Sequence, residues 1–332
     1  MEVASALIVI QEQTDVAEAR RRAADRAAQL GFDEVTIGRV SIAVTEAATN
    51  LLKHAGGGEI VVGPAAGSGR PGVQVLALDR GAGITNVAAS LRDGYSTSGT
   101  SGTGLGAIAR AASSFDLYTQ PGHGTVIAAT IYPEGGQPGS IGGLSVAMKG
   151  EQECGDGWAV WSAGELTSIL MCDGLGHGAP AAAATELALA AFRRHAERSA
   201  ADVVTSVHQA LRGTRGAAIA VAELDRRQNS LRFCGIGNIS ASIVKPDGEA
   251  QHLVSLAGIA GHAIRRVRPF AYDWPTGGIL VMHSDGIGTH WSLNSNGLAS
   301  RRADVIAGVL FRDHRRGRDD ASVVVVVNRD GA

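Results

Sequence analysis

Four sites in the second half of the chain share one local setting, one or two aspartates at the margin of an apolar strand beside glycine or each other. They are Asp156 in CGDGWAV, Asp173 in LMCDGLG, Asp285 in VMHSDGI, and Asp319 with Asp320 in GRDDASVVVV. The stretch from Ile169 to Gly178 is the clearest case, because Ile169, Leu170, Met171 and Cys172 read as a strand buried on both faces that runs into Asp173. Burying an unpaired carboxylate is costly, and no Lys or Arg lies within that stretch. A single Asp-Gly pair is more often a turn cap. Four strand-end cases in one sheet would repel one another, which favours a shared divalent cation. Mg²⁺ or Mn²⁺ takes carboxylate, carbonyl and water oxygens, and a pair of such ions activates water. His177, in the same turn, reads either as a proton donor to a leaving group or as a hydrogen-bonded turn histidine. Arg312, Arg315, Arg316 and Arg318 precede Asp319 and could attract a phosphorylated substrate, although a solvated charge run is favoured.

A second constellation lies in the first half, in the order Glu46-x-x-x-Asn50, D-x-G-x-G at Asp79–Gly83 and G-T-G-L-G at Gly102–Gly106. An asparagine carbonyl on a helix can ligate Mg²⁺ beside phosphates. An aspartate at a strand end can accept from an adenine amino group, and Gly81 and Gly83 let the backbone pass close to the base. Gly102, Gly104 and Gly106 expose N–H groups at a helix start, which suits phosphate oxygens. Each glycine cluster alone reads as a plain loop; the ordered set points to a nucleotide.

These residues need elements to hold them. A strand at Ala6–Ile10 opens the chain, followed by a helix over Asp15–Leu30 and another from Asp33 to His54 that stops at Gly56. On the second helix Ile37, Val40, Val44, Ala48 and Leu51 share an apolar side. Glu46, Asn50 and His54, at i, i+4 and i+8, stack along a different face. Strands at Glu59–Gly63, Val73–Leu78, Phe115–Thr119 and Thr125–Tyr132 complete the first unit, with a helix from Leu105. Pro133–Ser140 is the best linker. Beyond it come strands, two helices and more strands, an α+β order with a largely antiparallel sheet. A helix at Ala303–Phe311 precedes the terminal strand.

The 332 residues predict two domains, and a net charge of −2 argues against a nucleic-acid partner. Cys154, Cys172 and Cys234 form neither a disulfide framework nor a zinc pattern, so a cytoplasmic location is expected. The opening apolar run is too short and lacks a basic leader for a signal peptide, and no membrane association is expected.

The second half resembles the metal-dependent protein phosphatases (the PPM family), most closely the SpoIIE-like branch with its small RsbX-type enzymes. The resemblance runs from Ile141 to Asn328 through Asp156, D-G-x-G-x-G at Asp173–Gly178, S-D-G at Ser284–Gly286 and D-D-x-S at Asp319–Ser322. It implies that Asp173 bridges two Mn²⁺ or Mg²⁺ ions with the Gly174 carbonyl as a further ligand. Asp156 would hold one ion mostly through water, and Asp285 and Asp319 the other, with Asp320 a weaker candidate. The implied reaction is in-line hydrolysis of phosphoserine or phosphothreonine by a metal-activated water, without a covalent protein intermediate.

The first half resembles the GHKL (Bergerat) ATP-binding fold, and within it the RsbT-type switch kinases. E-A-A-T-N at Glu46–Asn50, D-R-G-A-G at Asp79–Gly83, D-G-Y-S-T-S at Asp93–Ser98, G-T-G-L-G and G-H-G-T at Gly122–Thr125 carry it. By that resemblance Asn50 binds Mg²⁺ of MgATP, Asp79 the adenine, Thr125 lines the adenine pocket, and Glu46 is the general base on a substrate hydroxyl. The implied architecture is α+β, a GHKL α/β sandwich over residues 1–133, a linker at 134–140, and a PPM-type β-sandwich flanked by helices over 141–332. The implied function is a bacterial partner-switching regulator, acting on STAS-domain antagonist proteins of a sigma-factor regulatory module. In the alternative, only the phosphatase acts, and the first domain senses ATP or binds a sigma factor or antagonist without phosphoryl transfer.

Overall fold

The computed structural model describes residues 4–68, 70–91 and 104–329. In chain order its elements begin β1 (Ala6–Ile10), α1 (Gln13–Gln29), α2 (Glu34–Asn50), β2 (Gly58–Ala65), β3 (Gly67–Ser68), β4 (Gly72–Leu78), α3 (Val87–Ser90), α4 (Gly104–Ala111), β5 (Ser114–Gln120), β6 (Gly124–Ile131) and β7 (Gln137–Pro138). They continue with β8 (Ile141–Val146), β9 (Asp156–Ala163), β10 (Leu166–Gly174), α5 (Ala179–His195), α6 (Ala200–Ala210), β11 (Ala217–Asp225), β12 (Ser230–Ile236), β13 (Ser240–Val244), β14 (Ala250–His252), β15 (Ser255–Leu256), β16 (Phe270–Asp273), β17 (Ile279–His283), α7 (Ala303–His314) and β18 (Ala321–Val327).

The chain divides into two compact units. One comprises Ser5–Gly142 with Ser295–Arg312, the other essentially Gly143–Asn294 with Asp313 onward. The segment Ser295–Arg312, which the sequence reading assigns to the second domain, thus groups with the first. The stretch expected as a linker is also tied down, since β7 pairs with β3 through Gly67–Pro138 and Ser68–Gln137.

In the first unit an antiparallel sheet runs β1-β2-β4-β6-β5. Val16, Ala19, Ala23 and Ala27 of α1 and Val40, Val44 and Ala48 of α2 recur at helical spacing and face Ile60, Val62, Val75 and Ala129 on one side of the sheet. Asp33 caps α2 by accepting from Thr36 N at 2.7 Å. The alternate positions of β4 and β6, including Leu76, Leu78, Val126 and Ala128, are buried on the other side. There α7 lies, so close that a Cβ on Gly308 would stand 2.9 Å from Val126 Cγ1. Sheet and helix are stitched together by Asp116, which accepts from Arg302 N at 2.8 Å, and by Asp304, which accepts from Thr130 Oγ1 at 3.4 Å. Coverage on both sides explains why β4 and β6 are apolar without alternation.

The second helix departs from expectation at its end. After Asn50 the chain widens into a π-helical turn, Leu51–Ala55, closed by Gly56 at φ 70°. A π turn takes more residues per revolution, so His54 leaves the line of Glu46 and Asn50 and is exposed.

In the other unit one sheet runs β15-β12-β11-β10-β9, with β16 also on β12, and a second runs β14-β13-β17-β18-β8. β9, β10, β11, β12 and β16 pair antiparallel in the first sheet and β14, β13, β17 and β18 in the second, while β12 and β15 run parallel. α5 and α6 cover the first sheet, burying Phe192, Val203 and Val207 against Leu170, Ile219 and Val221. The strands β14, β15 and β16 have two to four residues each, too few to show a period in the sequence. Among the described residues no helix is long and apolar enough to cross a membrane.

Candidate functional site

The acidic residues meet at one end of the second unit's sheets. In the β9–β10 register Asp156 stands opposite Asp173. Asp285 follows β17, and Asp319 and Asp320 lead into β18, its antiparallel neighbour. Burial pushes the Asp173 carboxyl up to about 7, helped by the charges of Asp285, Asp319 and Asp320, although the Asp285 backbone N–H donates to it. Burial raises Asp156 well above the ordinary carboxylate range; the nearby Asp173 and Asp320 charges add to this, and hydrogen bonds from Ser284 and Ser322 oppose it. Asp285 is raised by burial and then by Asp319, with Arg316 pulling the other way.

None of Asp156, Asp173, Asp285 and Asp319 forms an ion pair among the described residues. Nor, among those residues, do three His, Cys, Asp or Glu side chains converge tightly enough to enclose an ion by themselves. The acids offer oxygen donors only, the donor type of Mg²⁺ and Mn²⁺, and water would have to complete any ion's coordination. A cation would relieve the repulsion that these carboxyls otherwise escape by protonation.

Asp320, the weaker ligand candidate, has both oxygens occupied. Met148 N donates to one at 2.7 Å and Gly155 N to the other at 2.8 Å, so it anchors the 148–155 loop to the final strand. His177 Nδ1 lies 2.7 Å from Glu151 Oε1 on that loop, the hydrogen-bonded arrangement of the two readings. The favoured solvated reading fails for Arg312, which is buried and donates to the Asp79 carbonyl at 3.0 Å. Arg80 in turn donates to the Arg312 carbonyl. Arg316 and Arg318 are exposed.

Three residues that sequence reasoning missed orient the acids. Ser284 Oγ donates to Asp156 Oδ2 at 2.5 Å while accepting from Ser322 N at 3.0 Å. Ser322 Oγ continues the buried chain to Ser145 Oγ at 2.6 Å. Asn238 Nδ2 donates to Asp285 Oδ2 at 2.8 Å. The two serines stood inside the S-D-G and D-D-x-S motifs, a usable signal; Asn238 had none.

In the first unit Asp79, Gly81, Gly83 and Thr125 form one cluster. Asp79 Oδ1 accepts from Gly81 N at 2.8 Å and from Thr125 N at 3.1 Å, so both bonds fall on one oxygen. Thr125 is buried, with its hydroxyl 3.0 Å from that of Thr119. Gly83 needs its left-handed φ of 77° to turn the chain against Gln120. Asn50 is beside the start of α4, where a Cβ on Gly104 would fall 2.9 Å from Asn50 Oδ1. Glu46 is half-buried one turn before Asn50, and Gly106 is buried inside α4. Gly102 and the Asp93–Ser98 motif lie outside the described residues.

The Gly104 contact makes a direct prediction. Gly104→Ala displaces the Asn50 amide and, on the expectation that Asn50 holds the Mg²⁺ of a nucleotide, should weaken Mg²⁺-nucleotide binding about tenfold, a loss of ~1.4 kcal/mol. Calorimetric titration with a non-hydrolysable ATP analogue checks it, and unchanged affinity would remove Asn50 from the ion's surroundings.

Two family descriptions match the chain. "Histidine kinase-like ATPase domain" matches residues 10–131 and "Stage II sporulation protein E (SpoIIE)" residues 163–327. The chain is 36% identical over 120 residues to serine/threonine-protein kinase RsbT of Bacillus subtilis (strain 168), spanning 36% of this chain and 90% of that protein. It is 20% identical over 139 residues to phosphoserine phosphatase RsbX of the same organism, spanning 42% of this chain and 70% of that protein. A solved structure described under "The bacterial stressosome" superposes with a TM-score of 0.52 at 28% identity, covering 56% of this chain and 97% of that one. The crystal structure of RsbX in complex with magnesium superposes with a TM-score of 0.50 at 18% identity, covering 55% of this chain and 92% of that one, a likeness of fold.

Proposed function

We propose that this chain, which belongs to the RsbT-like histidine kinase-like ATPase family and carries a SpoIIE-type domain, both adds and removes phosphate on partner-switching proteins. The observation that carries the reading is the gathering of Asp156, Asp173, Asp285 and Asp319 at neighbouring ends of the two sheets with no ion pair among the described residues, on a chain that also carries the ordered nucleotide motifs. Asp173, the Gly174 carbonyl, Asp285 and Asp319 would hold two Mg²⁺ or Mn²⁺ ions, with Asp156 acting through water. Those ions would supply Lewis acidity and lower the pKa of water at the phosphorus. Ser284 and Asn238 keep Asp156 and Asp285 aimed at that space.

In the first domain Asn50 would hold the Mg²⁺ of MgATP. Asp79, with one carboxyl oxygen committed to Gly81 and Thr125, would present the other to the adenine amino group. Glu46 would take the proton from a serine or threonine hydroxyl of the partner. STAS-domain antagonist proteins are the proposed partners, and the three free, buried cysteines fit a reducing cytosol. The proposed domains are 1–133 completed by Ser295–Arg312, and 141–294 completed by 313–332.

Incubating the purified chain with ATP, Mn²⁺ and candidate STAS-domain proteins, while following phosphate both on and off, tests the whole reading. Glu46→Ala separates its first half from the alternative. Phosphotransfer should fall at least a hundredfold with nucleotide affinity kept within about twofold. Partner capture without any phosphotransfer by the unaltered chain would instead mark the first domain as a binding module.

A further inference from the structure

The sheet end that carries Asp173 is bordered by two segments outside the metal-ligand set. One is the turn between α6 and β11, residues 211–216; the other is a small hairpin, residues 258–264, between β15 and β16. The two are bound together. Ala217 and Ala260 exchange backbone hydrogen bonds at 3.1 and 2.9 Å, His262 Nε2 is 3.1 Å from the Thr214 carbonyl, and Gly261 N donates to His208 Nδ1 at 3.0 Å.

Both segments also reach the acidic centre. Leu175 N donates to the Gly216 carbonyl at 3.0 Å, and Arg215 Nη1 lies 3.0 Å from where a Cβ on Gly176 would stand. Arg215 therefore overhangs the turn that follows Asp173. On the hairpin side, the Gly258 carbonyl is 3.5 Å from the Cβ position of Gly237, next to the Asn238 that bonds Asp285.

The charge on these segments is one-sided. Residues 206–222 and 254–272 contain Arg212, Arg215, Arg265, Arg266 and Arg268 and no Asp or Glu. Arg268 stacks on Phe270 at 5.1 Å. Arg212, Arg215, Arg265 and Arg266 are exposed, and among the described residues none of their guanidinium groups has a hydrogen-bond or ion-pair partner. Like charges held on adjoining segments repel, and an anion with several acceptor oxygens relieves them.

We infer that Arg215 and the Arg265–Arg266 pair form a basic rim that selects phosphoserine or phosphothreonine sites flanked by acidic residues. This rests on the phosphatase reading above. Arg215, nearest the turn, binds phosphoryl oxygens; Arg265 and Arg266, on the loop that leaves the hairpin, meet Asp or Glu side chains beside the phosphosite. The favoured ligand is a protein segment and not a nucleic acid, because a few arginines at separated positions match one phosphoryl group with separate Asp or Glu neighbours, whereas a phosphate backbone calls for a continuous basic track.

The test uses the full chain with Mn²⁺ and two fluorescent phosphoserine peptides of equal length, one flanked by Glu and one by Lys. Binding is read by anisotropy, which needs no turnover. The unaltered chain should favour the Glu-flanked peptide by about tenfold at low salt, with the margin shrinking as salt rises. Arg265→Glu combined with Arg266→Glu should reverse the preference, and Arg215→Ala should weaken both peptides about tenfold. All three side chains are exposed, and thermal melts verify that the variants fold. Equal affinities in the unaltered chain, or a preference that survives charge reversal, would overturn the rim. Single-stranded RNA binding as tightly as the Glu-flanked peptide would overturn it as well. Hydrolysis of the same peptides is scored separately, so a failed phosphatase reading is distinguishable from a failed rim.

Discussion

On the proposed function, Asp173→Asn should lower Mn²⁺-dependent hydrolysis of a phosphopeptide by a factor of at least ~10³ and remove the thermal stabilisation expected from Mn²⁺. The cause is the loss of the carboxylate that stands opposite Asp156 in the sheet and feels the charges of Asp285, Asp319 and Asp320. Without metal the same substitution has the opposite sign. The Asp173 carboxyl is raised in the folded chain from 3.8 to about 7, so ionising it penalises the native state. At ~1.4 kcal/mol per pH unit this penalty reaches on the order of 4 kcal/mol. It is absent below about pH 4, grows as pH rises towards 7, and is complete above that. In EDTA the Asn variant should therefore gain on the unaltered chain between pH 4 and 7, and Mn²⁺ should bind more tightly at pH 8 than at pH 6 because it no longer competes with protons. Melting curves with and without Mn²⁺ across this range supply both readings. Retained hydrolysis by the variant would end the metal assignment.

Residues 1–142 expressed without the rest of the chain should melt far below the same unit in the full protein. Removing α7 uncovers the side of the sheet that holds Leu76, Leu78, Val126 and Ala128, all of them buried in the chain. At ~1–2 kcal/mol for each larger side chain, the loss is about 5 kcal/mol, comparable with the whole stability of a small domain. The fragment also loses Arg312 from the Asp79 carbonyl, so the proposed adenine-side loop loosens together with the core. Appending residues 295–312 through a flexible Gly-Ser linker should restore most of the melting temperature and slow amide exchange in β4 and β6. Equal melting of the bare fragment and the appended one would show that α7 is dispensable to this unit.

Motif order was enough to read the two domain families from the sequence, because the motifs place particular residue types at strand ends and helix starts in a fixed sequence. Strand and helix positions followed from local periodicity, with Ala6–Ile10 matching its observed bounds and Val73–Leu78 lying inside the strand Gly72–Leu78. Partnerships between residues far apart in the chain could not be read that way. Asp320 looks like its neighbour Asp319 in the sequence, yet two backbone N–H groups from the 148–155 loop claim it. Arg312 looks like one more arginine in a solvated run, yet its guanidinium caps a carbonyl 233 residues away. The apolar helix around Gly308 shows only that it must be covered, and its period cannot say which sheet covers it. Hydrophobic burial is non-directional, so the pattern of one segment settles that it packs, while the tertiary structure decides against what.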